Sequence, residues 1–173
     1  MKEINIIDFG LMGKQISALF YLLGYEIGVY NKSKLNIYEF EKQIKLLQRK
    51  IDFSNFNAGK INIYQHIEDL KNSLTIESLN EDLNLKKEIM QILRDNNIVF
   101  SNSSSLSMDD LNCDFIHFFN TIYIKLIELC GSNLERFTPL KDLKKLGFHI
   151  ICSKGNRGAL ANLLLFNEIS SFF

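Results

Sequence analysis

Short apolar runs alternate along the chain with segments whose apolar residues recur every three or four positions. The runs predict strands at Ile4–Ile7, Glu26–Tyr30, Leu74–Ser78, Ile98–Phe100, Asp114–Phe118 and Phe148–Cys152. The longer segments predict helices over Leu11–Leu23, Leu35–Lys50 and Asp82–Arg94, a break over 52–60, and a helix from Pro139 to Leu146. This alternation predicts an α/β fold of the Rossmann-like, doubly wound type, with a mainly parallel sheet flanked by helices.

Composition and charge narrow the class of protein. The chain has 173 residues, and 46% of them are hydrophobic, which is enough to bury a sizeable core. Its 20 basic and 20 acidic residues cancel, which argues against a nucleic-acid partner because such proteins carry a net basic field. We see no secretory signal, no apolar stretch near the roughly twenty residues of a membrane span, and no metal-ligand spacing among the cysteines. We therefore predict a cytoplasmic protein with neither a membrane segment nor a metal site.

The turn between the first strand and the first helix carries a glycine pattern. Gly10 and Gly13 stand at the second and third glycine positions of a dinucleotide fingerprint, and Leu11 and Met12 lie between them. Asp8 stands where the first glycine is expected. We predict that these five residues line a pyrophosphate site, although an ordinary strand–turn–helix connection would explain the pattern almost as well.

Asp8 is the main objection to tight cofactor binding. A carboxylate about 6 Å from a pyrophosphate would cost roughly 2–3 kcal/mol at an effective dielectric constant near 20. The same carboxylate could also occupy the amides at the helix start that should hold phosphate. The sequence therefore predicts weak or lost binding as an alternative to ordinary binding.

The end of the second strand bears on which cofactor binds. An acid that holds the ribose hydroxyls is expected there, but the chain has Asn31 followed by Lys32 and Ser33. An amide can bind a ribose hydroxyl without repelling a 2′-phosphate, so NAD and NADP both stay open. Asn31 could equally begin a simple turn.

Three later segments, together with the glycine turn, carry a family resemblance. They read Glu77-Ser-Leu-Asn-Glu81-Asp-Leu-Asn-Leu-Lys86, Ser101-Asn102-Ser103-Ser104-Ser105-Leu106 and His117-Phe118-Phe119-Asn120. In their order and spacing they resemble the E-x-x-x-E-x-x-x-x-K, S-N-T-S-S-L and H-F-F-N-P stretches of 3-hydroxyacyl-CoA dehydrogenases. The resemblance extends from residue 3 to about 165.

This resemblance implies roles for individual residues. It places His117 as the general base, Glu128 as the carboxylate that orients it, and Ser104 and Asn162 at the reacting group, while Glu81, Lys86 and Asn102 would line the cofactor site. Taken alone, His117 would more often be a core histidine, Glu128 the wet face of a strand, and the serine cluster a loop. The chain is also one residue shorter than the family pattern between Asn120 and Glu128, which challenges the pairing of His117 with Glu128.

The resemblance also implies an organisation and a function. We expect a dinucleotide-binding Rossmann domain over residues 1–165, the start of a connecting helix or tail over 166–173, and none of the helical domain that follows in the family. The implied reaction is hydride transfer between NAD, or NADP, and the C3 position of a short acyl-CoA. The alternative is a non-catalytic or partner-dependent module that has lost tight cofactor binding. The implied partners are the acyl-CoA substrate and either a second copy or a chain that supplies the helical domain.

Overall fold

The computed structural model describes residues 2–33, 35–93, 98–119 and 121–153. Within these ranges one sheet contains β1 (Glu3–Ile7), β2 (Glu26–Tyr30), β3 (Lys60–Tyr64), β4 (Leu74–Glu77), β5 (Ile98–Ser101), β6 (Asp114–Phe119), β7 (Leu126–Cys130) and β8 (His149–Ser153). The helices are α1 (Leu11–Leu22), α2 (Ile37–Lys50), α3 (Leu83–Leu93), α4 (Met108–Leu111) and α5 (Leu140–Lys145).

The strand order places a crevice at one edge of the sheet. The order is β3-β2-β1-β4-β5-β6-β7-β8, and every pair is parallel except β6 with β7. Chain connections leave β1 and β4 towards opposite sides, which opens a crevice outside their carboxyl ends, where such sheets bind ligands. The structure confirms the predicted α/β class with its mainly parallel, doubly wound sheet.

The core lies between the sheet and α1. Ile16, Leu19 and Phe20 recur at helical spacing on one face of α1, and all three are fully buried. The Phe20 ring meets the Phe118 ring of β6 edge to face, with centroids 6.2 Å apart. Burial of this apolar face holds α1 against the strands whose ends carry the site, at roughly 1.5–3 kcal/mol for each large side chain.

Two strands were missed by the sequence pattern. β3 is an edge strand whose residues are half-buried or exposed, and its first residue, Lys60, falls in the predicted break. β7 is short, but it is buried and pairs antiparallel with β6. Helix α2 begins at Ile37 and not at Leu35, because the Asn36 side chain accepts the backbone N–H of Glu39 at 3.2 Å and caps the helix there.

Two further predictions concern the domain boundary and membrane segments. The predicted domain boundary after residue 165 lies outside them. In the part of the chain that the structure describes, no helix has the length and apolar character needed to cross a membrane.

Gly13 packs α1 directly against the turn after β1. A Cβ added at Gly13 would lie 2.2 Å from the backbone carbonyl oxygen of Asp8, so the backbone would have to move. We predict that Gly13→Ala lowers the free energy of unfolding by about 1–3 kcal/mol, the cost of overpacking. Urea denaturation measures this change. Leu11→Ala is the matched control, because Leu11 is 63% exposed on the same helix and its truncation should change stability by less than about 0.5 kcal/mol. A Gly13→Ala protein as stable as the control would contradict the close approach.

Candidate functional site

The turn after β1 has the backbone shape of a phosphate-binding loop. Asp8 has a φ of +74°, the left-handed region that favours glycine. Its N–H donates to the carbonyl of Tyr30 at 2.9 Å, which ties the turn to the end of β2. Gly13 is buried against this turn, whereas Gly10 is exposed at the start of α1. The backbone at the first glycine position therefore has the conformation expected of glycine, although the residue there is Asp8.

The Asp8 carboxylate lies over the loop amides. Its Oδ2 accepts the backbone N–H of Gly10 at 3.0 Å. Leu11 is exposed beside it, and Met12 packs against the core. The carboxylate therefore occupies one of the N–H groups that a pyrophosphate would need, as the sequence suggested it could.

Asn31 holds the loop from the neighbouring strand end. Its Oδ1 accepts the Phe9 N–H at 2.9 Å, and its Nδ2 donates to the Ser33 carbonyl at 2.8 Å. Asn31 therefore both orders the turn after β2 and fixes the glycine loop. Lys32, the next residue, is exposed.

A cavity of about 400 Å³ opens beside this loop. The residues that line it include Asp8, Asn31, Lys32, His66, Leu79 and Ile89. Sequence reasoning missed His66, Leu79 and Ile89, since nothing in their local pattern distinguishes them from ordinary turn and helix residues. The close packing of Gly13, the open position of Gly10 and the half-apolar cavity fit the adenosine end of a dinucleotide, whereas the Asp8 charge in the glycine turn opposes it.

The β6–β7 pairing brings His117 and Glu128 together. The two residues are directly opposite each other in the antiparallel register, so their side chains project from the same face of the sheet. Glu128 is 3% exposed, and its Oε1 accepts the Ser153 hydroxyl at 2.8 Å. It is therefore a buried carboxylate and not the wet face of a strand. The shorter connection after β6 leaves the pairing intact.

His117 is a partly buried histidine next to an aromatic ring. Its Nδ1 is buried with no hydrogen-bond partner, and its ring lies 4.1 Å from the Phe119 ring between centroids. Burial lowers the pKa of His117 below its ordinary value, and the negative charges of Glu128 and Glu81 oppose part of that shift. The lowered pKa favours the neutral form of the imidazole.

The loop after β5 is held by Glu81. The Ser103 hydroxyl donates to Glu81 Oε2 at 2.6 Å, and Ser104 reaches Oε1 with its N–H at 2.7 Å and its hydroxyl at 3.3 Å. Burial alone would raise the pKa of Glu81, but these hydrogen bonds and the Lys86 charge outweigh it and hold the pKa below its usual range. Glu81 and Ser104 thus form one polar cluster beside His117.

Asn102 links the same loop to β6. Its N–H donates to the Glu77 carbonyl at 2.7 Å, and its Oδ1 accepts the Phe118 N–H at 3.1 Å. The backbone of Asn102 therefore joins the ends of β4 and β5, and its side chain joins them to β6.

Lys86, which we expected to line the cofactor site, makes a buried ion pair in this structure. Lys86 is fully buried, and its Nζ donates to Glu77 Oε1 at 2.7 Å and to the Leu79 carbonyl at 2.9 Å. Its carboxylate partner, Glu77, is the last residue of β4, and neither side chain of the pair is exposed. Glu77 was not assigned a role from sequence, although a lysine between Leu85 and Ile89 on an apolar helix face signals a buried partner.

One predicted residue and one further cavity are left to account for. Asn162, the remaining predicted catalytic residue, falls outside the described residues. A larger cavity of about 900 Å³ opens at the opposite edge of the sheet, beside the first residues of β5 and β6. It contains Cys113, but burial and the Glu77 charge raise the pKa of this thiol to about 12, so it is not a nucleophile at neutral pH. None of the predicted site residues lines this cavity.

Comparison with known proteins agrees with this geometry. A curated relative, the 3-hydroxybutyryl-CoA dehydrogenase of Clostridioides difficile, is 27% identical over an alignment of 157 positions. The alignment covers 76% of this chain and 55% of the relative. The chain thus spans about half the length of the curated relative that it matches.

Solved structures share the fold. The 3-hydroxyacyl-CoA dehydrogenase of Archaeoglobus fulgidus aligns with a TM-score of 0.74 at 23% identity, over 99% of this chain and 62% of that one. A pyridine-carboxylic-acid 5-dehydrogenase, an NAD⁺-dependent dismutase, aligns with a TM-score of 0.80 at 20% identity, over 98% of this chain and 63% of that one. At these identities the likeness establishes the fold alone.

The family itself is established by sequence. Residues 3–136 match the family described as "3-hydroxyacyl-CoA dehydrogenase, NAD binding domain", which is most of the chain. The match includes the glycine turn, the Glu77–Lys86 segment, the serine loop, and β6 and β7. The prediction of NAD as the cofactor is confirmed at the level of this family. The chain therefore belongs to the NAD-binding domain family of the 3-hydroxyacyl-CoA dehydrogenases.

Proposed function

We propose that this chain is the catalytic nucleotide-binding part of an NAD-dependent 3-hydroxyacyl-CoA dehydrogenase. The observation that supports this most is the register that sets His117 opposite Glu128, beside Glu81 and Ser104 at the carboxyl edge of the sheet. When bound, NAD would supply the acceptor for the hydride that leaves C3 of the substrate as the 3-hydroxyl loses its proton.

His117 takes that proton. Because Nδ1 is buried, we assign the transfer to Nε2. Glu128 is buried directly across the strand pair, and its negative charge stabilises the imidazolium that forms. Ser153 donates to the Glu128 carboxylate and keeps it in place. Glu128 thus acts on the imidazole through its charge, and Nε2 is left for the substrate.

Ser104 binds the reacting oxygen. Its hydroxyl hydrogen bonds to Glu81 at 3.3 Å, a long contact that a substrate oxygen can replace. The backbone N–H of Ser104 stays on Glu81 at 2.7 Å, so the loop keeps its position when the hydroxyl turns. A hydroxyl placed in advance stabilises the charge that changes on the oxygen.

The cavity beside the glycine loop would hold the adenosine end of the cofactor, and Asn31 and Lys32 would bind its ribose. Its charged lining favours NAD over NADP. One lysine, Lys32, faces three carboxylates, Asp8, Glu68 and Glu88. A 2′-phosphate would add two negative charges to this already acidic lining, and the repulsion would weaken its binding.

The acyl-CoA and any second chain belong to the same proposal. The curated relative is a 3-hydroxybutyryl-CoA dehydrogenase, which suggests a short acyl chain. The proposed partners are the acyl-CoA itself and, for closure over it, a second copy or a partner chain.

Turnover tests the proposal. We expect NADH oxidation, followed at 340 nm, when the purified chain is given acetoacetyl-CoA. His117→Gln should lower kcat by roughly 10²–10⁴-fold, the usual contribution of a general acid or base. His149→Gln is the matched control, because His149 is exposed on β8 and has no role in the proposed reaction, and it should leave kcat unchanged. Absence of turnover at high protein concentration, with either NADH or NADPH, would refute the proposed activity.

The pH profile tests the role of His117 separately. In the oxidation direction the imidazole must be neutral, so kcat/KM should fall as the pH drops through the pKa of His117, which burial holds below its ordinary value. Glu128→Gln removes a charge that raises this pKa, so the acid limb should move to still lower pH. A limb that stays in place, or moves to higher pH, would show that Glu128 does not act on His117.

Asp8 favours a second candidate function, a family member with weak cofactor binding that works as a partner-dependent module. Its carboxylate already occupies the Gly10 N–H and places a negative charge in the pyrophosphate loop. The same contact would be expected of a chain that keeps the fold and no longer needs the cofactor.

Two substitutions at Asp8 separate charge from steric occupation. Asp8→Gly removes both, whereas Asp8→Asn removes the charge, tolerates a positive φ and keeps an acceptor for the Gly10 N–H. We predict that Asp8→Gly raises NADH affinity roughly ten- to a hundredfold in calorimetric titration, the effect of about 1.4–2.8 kcal/mol of relieved repulsion. Asp8→Asn should recover most of this gain if charge is the cause. Equal affinity in all three proteins would show that Asp8 does not limit binding.

A further inference from the structure

Beneath the serine loop lies a buried ion pair to which the proposed reaction gives no task. Glu77 and Lys86 are both fully buried, and their charged atoms are 2.7 Å apart. Glu77 ends β4 and Lys86 lies in α3, so the pair joins two elements under the site. Burying two charges is costly and often stabilises less than an apolar pair of the same size. A role beyond stability is therefore worth seeking.

Hydrogen bonds lead from this pair to the site. Glu77 Oε2 accepts the Ser101 hydroxyl at 2.6 Å, and that hydroxyl accepts the Ser103 N–H at 3.2 Å. Ser103 is 1% exposed, and its own hydroxyl donates to Glu81 at 2.6 Å. Every link is at hydrogen-bonding distance, and the chain of contacts ends on the carboxylate that binds Ser104.

The pair also fixes the other end of the Glu81 loop. Lys86 Nζ donates to the Leu79 carbonyl, and Glu77 Oε1 accepts the Leu79 N–H. Both backbone groups of Leu79, two residues before Glu81, are thereby held. The loops after β4 and β5 are thus both bonded to the Glu77–Lys86 pair. Glu81 lies in the first loop, and its carboxylate contacts the second.

We propose that Glu77 and Lys86 are positioning residues that hold the Glu81 carboxylate against the serine loop, where its charge acts on His117. An effect of the pair on the reaction rests on the proposed function, whereas the hydrogen bonds from the pair to Glu81 do not depend on it. The charged groups that face the imidazole are Glu128, from β7, and Glu81, from the loop after β4. If the buried pair is removed, Glu81 becomes free to move away, and His117 loses part of the negative potential around it.

The test is a thermodynamic cycle read on His117. The four proteins are the wild type, Glu81→Gln, the double variant Glu77→Gln/Lys86→Met, and the combination of all three changes. The double variant removes both buried charges and leaves neither unpaired, so it should keep near-wild-type stability. NMR titration follows the His117 imidazole, and His66 and His149, both exposed, serve as internal references.

The expected result is non-additive. Glu81→Gln should lower the pKa of His117, because it removes a charge that raises it. The double variant should lower it in the same direction, and the combined protein should titrate no lower than Glu81→Gln alone, because the pair acts through Glu81. An unchanged His117 pKa in a folded double variant would overturn the inference. So would a further fall in the combined protein, since the pair would then act on His117 directly.

A second pair of variants keeps the test decisive if the double variant does not fold. Ser101→Ala cuts the link between Glu77 and Ser103 and leaves the ion pair whole, whereas Ser101→Thr keeps the hydroxyl. Alanine should lower the pKa of His117, and threonine should restore it. Equal titration in both proteins would again contradict the proposal.

Activity then distinguishes this inference from the proposed function. If the wild type turns over, Ser101→Ala should lower kcat roughly ten- to a hundredfold, the cost of misplacing a site by about 1 Å, with a smaller change in KM for acyl-CoA. A wild type without turnover would count against the proposed function alone, since the His117 titration tests the positioning role without any reaction.

Discussion

The antiparallel pairing of β6 with β7 is the constraint on which the site depends. Side chains alternate between the two faces of a strand, so Ile116 and Phe118 enter the core while His117 projects from the opposite face. A slip of one residue would put the imidazole into the core and an aromatic ring into the site. The burial of two large apolar side chains therefore fixes the register, and the register fixes which residue faces Glu128.

The buried carboxylates under the site belong both to the packed interior and to the surroundings of His117. Buried carboxylates end β4 and occupy the middle of β7, and each is matched by hydrogen-bond donors: Lys86 and Ser101 for Glu77, and Ser153 for Glu128. Such groups are tolerated in the interior because their hydrogen bonds are made. The result is a polar layer under a half-buried histidine. Burial lowers the pKa of His117, and the nearby carboxylates raise it part of the way back.

Much of the fold could be read from the sequence, because the buried strands and amphipathic helices have strong local periods. β1, β2 and α1 fall within a residue or so of their predicted bounds. β3 escaped because an edge strand buries little, and its identity depends on pairing with β2. Motif order also indicated which residues gather at the sheet edge. The buried ion pair of Lys86 could not be predicted from motif order. Its partner, Glu77, lies nine positions earlier on another element, and only the folded chain brings the two together.

The left-handed backbone at Asp8 has a consequence for how this loop can change over time. The conformation is already the one that glycine prefers, so replacing the side chain requires no rearrangement of β1, α1 or their connection. Aspartate codons become glycine codons by a single substitution at the second base. A lineage carrying this chain is thus one mutational step from a loop with all three glycines, and selection on cofactor use can act on that step without first repairing the fold.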